Sequence, residues 1–339
     1  MPHPFVVAPR GGAPVAAAVP GDRRPRESPL DGLPEILRRH VDDPDVTDVF
    51  LNGASGLFVD RGDGARPVTG WRADEEEVRD LAVTLIALGG RHIDDATPCV
   101  DVRLAGGIRV HAVLPPVCAD GTTISLRVPR RTLAGLADLE RAGMFDHRGG
   151  ERLAGLVADR ANLLVTGAAG TGKTTLLAAL LGAARPEERI VTIEDVAELR
   201  IDHPHHVRLE ARQPNLEGAG GIDLARLVRE ALRMRPDRLV VGECRGAEVR
   251  ELLSALNTGH DGGAGTLHAN GLADVPARLE ALGALAGLGD GALARQVVSA
   301  IGWIVHLSRG ADGRRHVAGL GRPRLEDGRL GVEVLPWPG

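Results

Sequence analysis

One lysine stands among the 41 lysine and arginine residues of the chain, and its neighbours suggest a chemical role for it. Lys173 lies in the segment Gly167-Ala-Ala-Gly-Thr-Gly-Lys-Thr174, which fits the pattern G-x-x-x-x-G-K-[ST] of a phosphate-binding loop. In such a loop, backbone N–H groups surround phosphate oxygens, a lysine reaches the β- and γ-phosphates, and a hydroxyl binds Mg²⁺. Arginine, with its planar fork, fills the lysine position poorly, which explains the single exception to the use of arginine.

The sequence therefore predicts a site for ATP and Mg²⁺, with Lys173 as a catalytic cation and Thr174 as a metal ligand. A hydrophobic segment precedes the loop and an apolar helical segment follows it, as the motif requires. The alternative is a glycine-rich turn that contains a lysine by chance. The residues expected to contact the nucleotide are Gly167, Gly170, Thr171, Gly172, Lys173, Thr174 and Thr175.

Two acidic residues follow predicted buried strands. Glu243 comes directly after Gly242, so glycine occupies the usual Walker B aspartate position and the carboxylate arrives one residue later. Glu194 ends the strand that begins near Arg189. Because the carboxyl ends of parallel strands converge on the ligand crevice, both should lie near the phosphates. Glu243 is expected to hold Mg²⁺ or polarise the attacking water, and Glu194 to orient that water. Which of the two is the general base stays open, as do purely structural roles at the strand ends.

Histidines occur in two further segments. His268 ends the strand that begins at Ala264, and His260 precedes it. Either could donate a hydrogen bond to a γ-phosphate, and either could have a structural role instead. His203-Pro-His205-His206 has the residue type of a metal site, but its spacing fits no helical or zinc-finger pattern. The sequence predicts a solvated turn there and no zinc.

The segments around these residues predict an α/β protein of two domains. The predicted regions are a disordered tail (1–30), a small α+β N-terminal domain (31–128), a linker (129–135) and a P-loop domain with a parallel sheet (136–339). In the N-terminal domain, Asn52-Gly53 and Gly106-Gly107 separate strand patterns as hairpin turns do. A helix is predicted from about Asp74 to Leu88, where apolar residues recur at helical spacing.

Composition argues against several classes of protein. The net charge of −5, the sequence pI of about 6.2 and the aromatic content of 2% disfavour a surface that binds nucleic acid. No apolar segment reaches the roughly 20 residues that a membrane-spanning helix needs. The scattered cysteines Cys99, Cys118 and Cys244 suit neither a disulfide framework nor a zinc ribbon, and Cys244 is expected to be a packing residue. These features predict a cytoplasmic protein without a signal peptide.

Taken together, the motifs resemble those of the type II/type IV secretion traffic ATPases, most closely the tight-adherence (Flp) pilus assembly branch. The resemblance covers about residues 35 to 310. The stretches that carry it are Gly167 to Thr175, Ile190-Val-Thr-Ile-Glu-Asp-Val-Ala-Glu-Leu, Ala231-Leu-Arg-Met-Arg-Pro-Asp-Arg, Val241-Gly-Glu-Cys-Arg-Gly, and Asn257-Thr-Gly-His-Asp through Thr266-Leu-His-Ala-Asn. The four-cysteine zinc insert of some related branches is missing, which disfavours those branches.

This resemblance implies a RecA-like P-loop domain, a smaller N-terminal domain and a homo-hexameric ring with ATP between the two domains. It implies that Glu194 belongs to an Asp box, Glu243 to an atypical Walker B motif and His268 to a His box. Arg109 and Arg127 match arginines of the N-terminal domain that reach the nucleotide, although surface arginines of a strand would look the same. The C-terminal domain shows no obvious arginine finger of its own.

Three functions compete on this basis. The preferred one is a hexameric motor that hydrolyses ATP and powers pilin assembly or protein secretion through inner-membrane platform proteins, bound peripherally at the cytoplasmic face. The second is a nucleic-acid translocation or conjugation ATPase with the same core, which would favour basic, aromatic-lined surfaces. The third is a small-molecule kinase, which would need an acceptor pocket and a lid. The N-terminal arginines and the His box favour the ring motor.

Overall fold

The architecture comes from a computed structural model, which describes residues 33–62, 64–129, 133–212 and 220–337. The chain divides into two units between Val128 and Pro129, where the sequence placed the end of the N-terminal domain. The predicted tail, residues 1–30, lies outside the described residues, and so do residues 130–132 of the predicted linker.

The N-terminal unit is built around one antiparallel sheet. Its elements are α1 (Glu35–Val41), β1 (Asp48–Asn52), β2 (Leu57–Asp60), β3 (Arg66–Pro67), α2 (Glu75–Leu88), β4 (Cys99–Arg103), β5 (Arg109–Val113) and β6 (Thr123–Arg127). The strand order is β3-β2-β1-β6-β5-β4. The pairs β1–β2 and β4–β5 are antiparallel, which confirms the two predicted hairpins.

Alternation along these strands decides which face of the sheet is covered. In β5, Val110 and Ala112 are buried, whereas Arg109 and His111, which alternate with them, stay partly exposed. Helix α2 packs over β4, β5 and β6 with its apolar face, as the helical spacing of its residues requires. Asp74 caps this helix and accepts a hydrogen bond from the Glu77 N–H, so the helix begins one residue after the predicted start.

The C-terminal unit contains a mixed sheet between helices. Its elements are α3 (Leu136–Arg141), α4 (His147–Ala158), β7 (Leu163–Gly167), α5 (Lys173–Gly182), β8 (Ile190–Glu194), β9 (His206–Glu210), α6 (Leu224–Leu232), β10 (Arg238–Val241), α7 (Glu248–Leu256), β11 (Ala264–His268), α8 (Val275–Leu285), α9 (Asp290–Ala300), β12 (Trp303–Arg309), β13 (Arg315–Glu326) and β14 (Arg329–Leu335).

The order of strands in this sheet is β14-β13-β12-β7-β11-β10-β8-β9. Neighbours from β12 to β9 are parallel, as the sequence predicted for this domain. Strands β13 and β14 extend the sheet in antiparallel fashion, which the sequence analysis did not predict. The phosphate-binding strand β7 therefore lies inside the sheet, between β12 and β11.

Helices cover this sheet on both faces, which is why β7, β8 and β10 are buried along their whole length. Leu163 and Val165 of β7 pack in a core with residues of α3, α4 and α5, whereas Leu164 between them packs with residues of α6 to α9. Cys244 belongs to the second of these cores and is buried, which agrees with its expected packing role. In the described parts of the chain, the helices are too short or too polar to cross a membrane.

An ion pair is buried at the amino edge of the same sheet. The Arg238 guanidinium donates to the Glu188 carboxylate and to the carbonyl oxygens of Val157 at 2.8 Å and Gly262 at 3.3 Å. Burial alone would raise the pKa of Glu188, but the hydrogen bond and charge of Arg238, with Arg185, hold that pKa below its ordinary value. The pair fixes the starts of several strands relative to one another.

Candidate nucleotide site

The loop between β7 and α5 is shaped by two glycines. A Cβ on Gly167 would lie 2.6 Å from the carbonyl oxygen of Leu307 and 2.6 Å from the Thr171 hydroxyl, so only glycine fits beside β12. Gly172 has φ of +93° and precedes the first residue of α5 without a side-chain cap. The first N–H groups of α5 have no partner inside the helix and point toward this loop. The backbone therefore forms the cradle that the motif predicted.

Lys173 is held inside this loop. Its Nζ donates hydrogen bonds to the carbonyl oxygens of Gly167 at 2.9 Å and Ala168 at 3.0 Å, and the residue is only 9% exposed. Burial lowers the pKa of the ammonium, and the charge of Glu243 acts in the opposite direction. The ammonium is thus already positioned at the loop, and it can exchange these carbonyl partners for phosphate oxygens.

The threonines of the motif divide into two groups. The Thr171 hydroxyl donates to the Ala168 carbonyl at 2.9 Å, so this side chain closes the loop rather than facing out. Thr174 is partly buried and Thr175 is exposed in the first turn of α5. Lys173, the helix N-terminus and the Thr174 hydroxyl are the cation, the dipole and the hydroxyl that a nucleoside triphosphate with Mg²⁺ needs.

Glu243 lies in a segment after β10 that hydrogen bonds hold in place. Its Oε2 accepts a hydrogen bond from Arg245 at 2.5 Å, and this ion pair raises the pKa of the guanidinium. The Glu248 Oε1 accepts from the N–H groups of Arg245 at 2.5 Å and Gly246 at 2.8 Å. On the other side, the Thr266 hydroxyl of β11 donates to the Gly242 carbonyl at 2.6 Å. The carboxylate is therefore held near Lys173, whose pKa it influences.

Glu194 is tied to its own turn. Its carboxylate accepts from the N–H groups of Glu198 at 3.1 Å and Leu199 at 3.0 Å, and the residue is 6% exposed. A Cβ on Gly242 would lie 2.5 Å from the Glu194 Cγ, which explains why no aspartate stands at position 242. Strands β10 and β11 separate β8 from β7, so three inter-strand spacings, about 14 Å, lie between Glu194 and the loop strand.

The two predicted histidines lie at opposite ends of β11. His268 pairs with Gly167 across the β11–β7 ladder, and burial together with the charge of Lys173 lowers its pKa. His260 precedes the strand, and its Nδ1 contacts the Ala255 carbonyl at 3.2 Å. The five residues of β11 span about 16 Å. The structure therefore brings His268 to the P-loop and corrects the prediction for His260, which lies at the amino edge of the sheet.

Arg109 and Arg127 belong to the N-terminal unit. They are direct cross-strand neighbours on β5 and β6, so their side chains lie on the same face of the sheet. Arg109 lies 3.5 Å from a carboxylate oxygen of Asp101, and Arg127 lies 3.7 Å from one of Asp48. A contact of either arginine with a nucleotide stays a prediction.

Arginines also lie near the P-loop within the C-terminal unit, and whether any of them acts as an arginine finger stays untested. Arg245 pairs with Glu243, and the charges of Arg245 and Arg278 both lower the pKa of His268. The Arg315 Cδ lies 3.5 Å from the position that a Cβ on Gly172 would take. Arg245 comes two residues after Glu243 in the sequence, which was the available signal. Arg315 is distant in sequence from every motif and gave none.

The histidines near β9 have separate partners. His206 is the first residue of β9 rather than part of a turn, its Nε2 lies 3.0 Å from the Thr192 hydroxyl, and burial lowers its pKa to about 4. His203 contacts the Arg185 carbonyl at 2.9 Å, and His205 contacts Arg189 at 2.7 Å. Within the described ranges, no group of three His, Cys, Asp or Glu side chains is arranged to hold a metal ion.

Comparison with known proteins identifies the family. A family described as type II/IV secretion system protein matches residues 34–317. A putative conjugal transfer protein of Mycobacterium tuberculosis is 51% identical over 298 residues, which cover 86% of this chain and 84% of that protein. The probable conjugal transfer protein TrbB of Sinorhizobium fredii is 31% identical over 309 residues, covering 89% and 91%.

A solved structure supports the fold. The pilus retraction motor PilT with bound ADP superposes with a TM-score of 0.59 at 22% identity, covering 89% of this chain and 82% of that one. The order of the parallel strands and the cradle at the end of β7 agree with a RecA-like P-loop domain, which follows a smaller N-terminal unit in the chain. The chain therefore belongs to the type II/IV secretion system protein family, as an ATPase with a RecA-like fold.

Proposed function

We propose that this chain hydrolyses ATP with the help of Mg²⁺ at the carboxyl edge of its parallel sheet. The observation that carries the proposal is the convergence of Lys173, Glu243 and His268 around the end of β7. Lys173 exchanges the carbonyl oxygens of its loop for the β- and γ-phosphates, and the N-terminus of α5 stabilises their charge. Thr174 and Glu243 would hold Mg²⁺, which would neutralise charge on the phosphate oxygens when bound.

The remaining polar groups divide the work on the γ-phosphate. His268, whose lowered pKa favours the neutral imidazole, can donate one hydrogen bond to a γ-phosphate oxygen without adding a second positive charge beside Lys173. Glu243 lies nearer to Lys173 than Glu194 does, whereas Glu194 adjoins the Glu243 strand through Gly242. Glu194 is the group that orients the attacking water, after it has released one of its backbone partners.

Substitution of Lys173 tests the proposed ATP hydrolysis directly. We expect Lys173→Ala to abolish phosphate release without unfolding the protein, because the ammonium donates its hydrogen bonds to Gly167 and Ala168 within the loop itself. Lys173→Arg should not restore activity, since the loop is shaped for a narrow ammonium. Circular dichroism of both variants controls for folding. Phosphate release near the wild-type rate in either variant would contradict the assignment.

We propose that the protein works as a homo-oligomer, a hexameric ring. In the assembled ring, Arg109 and Arg127 complete the nucleotide site. An arginine that stabilises the charge of phosphoryl transfer is worth roughly 10³ to 10⁵ in rate. Arg109→Gln and Arg127→Gln should therefore lower turnover in the assembled protein, whereas Arg79→Gln, on helix α2 of the same unit and paired with Asp95, should leave it within about twofold. Activity that does not rise with protein concentration, or equal losses in all three variants, would argue against this role.

The cellular role that we propose is to power pilin assembly or protein secretion through inner-membrane platform proteins, from the cytoplasmic face of the membrane. Family membership and the resemblance of the motifs to the Flp pilus branch support this role. A second candidate is conjugation, because two relatives are named as conjugal transfer proteins. The net charge of −5 and the low aromatic content favour the first.

Stimulation of ATP turnover separates these two candidates. Membrane vesicles that contain inner-membrane platform proteins of a secretion system should raise the rate if this chain drives secretion, and single-stranded DNA should not. A rate that rises with single-stranded DNA and stays unchanged with the vesicles would favour the conjugation role instead. Vesicles without platform proteins are the control.

A further inference from the structure

A buried histidine that the catalytic scheme does not use lies beside the phosphate-binding strand. His306 of β12 is 6% exposed and is the direct partner of Thr166 in the parallel β12–β7 ladder. Its Nδ1 lies 2.9 Å from the Thr166 hydroxyl. The ring is also hydrogen-bonded to the backbone of Asn270, in the segment that follows β11. Because β7 lies between β12 and β11, this one side chain reaches across the end of β7.

Both partners of His306 lead directly to groups of the nucleotide site. Thr166 immediately precedes Gly167, whose carbonyl oxygen binds the Lys173 ammonium at 2.9 Å. Asn270 follows His268 by two residues, beyond the last ladder pair of β11, which is His268 with Gly167. The ladder alone therefore does not fix the backbone at Asn270, and the imidazole provides a link from that backbone to the base of the loop.

The direction of the hydrogen bonds follows from their chemistry. The bond with the Asn270 backbone raises the pKa of His306, so the ring donates to a carbonyl oxygen there. A neutral imidazole then accepts the Thr166 hydroxyl proton at Nδ1. Burial and the charge of Lys173 favour this neutral form, and Asp274 opposes them. The imidazole therefore accepts one hydrogen bond, from Thr166, and donates one, to the backbone of Asn270, and these two bonds fix the distance between the two segments.

We propose that His306 is a positioning residue that sets the placement of the His268 segment relative to the P-loop. This inference rests on the proposed function, in which Lys173 binds the phosphates and His268 contacts the γ-phosphate. His306 touches neither nucleotide nor water in this scheme. It acts through His268, so its removal should impair the chemical step more than nucleotide binding.

A double-mutant cycle with His268 tests the inference. We expect His306→Leu to lower kcat about tenfold and to leave KM for ATP within about threefold, because the loop itself stays formed. His306→Gln, which keeps one donor and one acceptor, should recover most of kcat. In the His268→Ala background, His306→Leu should cost less than about twofold, since the residue through which it acts has gone.

Two further variants keep the test decisive. Thr166→Val removes the hydroxyl that bonds His306 and keeps the shape of the side chain. It should show the same loss of kcat and the same non-additivity with His268→Ala, and it replaces His306→Leu in the test if that variant does not fold. Ser308→Ala, two residues along β12, is the matched control and should behave as the wild type. If the losses of kcat caused by His306→Leu and His268→Ala multiply in the double variant, His306 does not act through His268. This inference is then overturned, whereas the proposed function is not. A wild-type rate for His268→Ala would remove the proposed role of His268 and this inference with it.

Discussion

The contact between Gly242 and Glu194 allows a worked prediction. A Cβ at position 242 would lie 2.5 Å from the Glu194 Cγ and 2.9 Å from its Oε1, so Gly242→Ala must displace that side chain. Overpacking of a buried site costs about 1 to 3 kcal/mol, and a hydrogen bond to a charged group contributes about 1.5 to 3 kcal/mol. Displaced, the carboxylate loses at least one of its bonds from the Glu198 and Leu199 N–H groups.

We therefore expect Gly242→Ala to lower the free energy of unfolding of the C-terminal unit by at least about 2.5 kcal/mol, the sum of the lower ends of these ranges, or by at least roughly 5 to 10 °C in Tm. Urea unfolding followed by circular dichroism measures it. Gly155→Ala is the matched control, because a Cβ there meets no atom within 4 Å and glycine inside a helix is unfavourable, so this variant should be as stable as the wild type or more stable.

A second substitution isolates the cause. In a Glu194→Ala background the colliding Cγ is absent, and Gly242→Ala should then cost less than about 0.5 kcal/mol. ATP turnover should fall in Gly242→Ala as well, because the displaced Glu194 carboxylate is the group proposed to orient the attacking water. If Gly242→Ala unfolds at the wild-type urea concentration, or costs the same with and without the Glu194 side chain, the steric argument is refuted.

The remaining predictions concern charge. Glu243→Gln and Glu194→Gln should each keep nucleotide affinity, measured with a fluorescent ATP analogue, and lose phosphate release; normal turnover per bound nucleotide would contradict their catalytic roles. Glu188→Gln leaves a buried guanidinium unpaired and should cost about 3 to 5 kcal/mol at pH 7, whereas Glu187→Gln, exposed beside it, should cost almost nothing. Because folding lowers the pKa of Glu188, its stabilising contribution is complete above about pH 5 and is lost as the pH falls through the lowered pKa. The difference in urea midpoint between Glu188→Gln and the wild type should therefore shrink in acid, and a constant difference would contradict this.

The phosphate-binding loop and the parallel strands could be predicted from the sequence because local pattern and tertiary role coincide there. Lys173 and its glycines form a motif that is local in the chain. Strands β7, β8 and β10 are buried on both faces, so each contains consecutive apolar residues. The N-terminal hairpins carry their turn residues within the strand pattern. Site residues that come from distant strands, such as Arg315 and His306, could not be assigned, since nothing local marks which strand lies beside which.

Two missed features had different causes. Helix α4 contains Gly149 and Gly150, which disfavour a helix, but a Cβ at position 149 would lie 2.5 Å from the Trp337 ring, so packing from the far end of the chain selects glycine there. The β13–β14 hairpin did carry a local signal, because its turn contains Asp327 and Gly328, both with positive φ. His260 was misplaced because the motif that contains it spans both ends of β11.

The solitary lysine has a consequence for the covalent chemistry of this chain. Apart from the α-amino group, Lys173 is the one side-chain amine that an acylating reagent or an acetyltransferase could modify. Its Nζ is engaged by two carbonyl oxygens and the residue is 9% exposed, so acylation should be slow, and bound nucleotide should slow it further. Any acetyl group that does attach removes the charge at the phosphate site itself. For this chain, acylation of its one side-chain amine would be equivalent to switching ATP hydrolysis off, with no second lysine to dilute the effect.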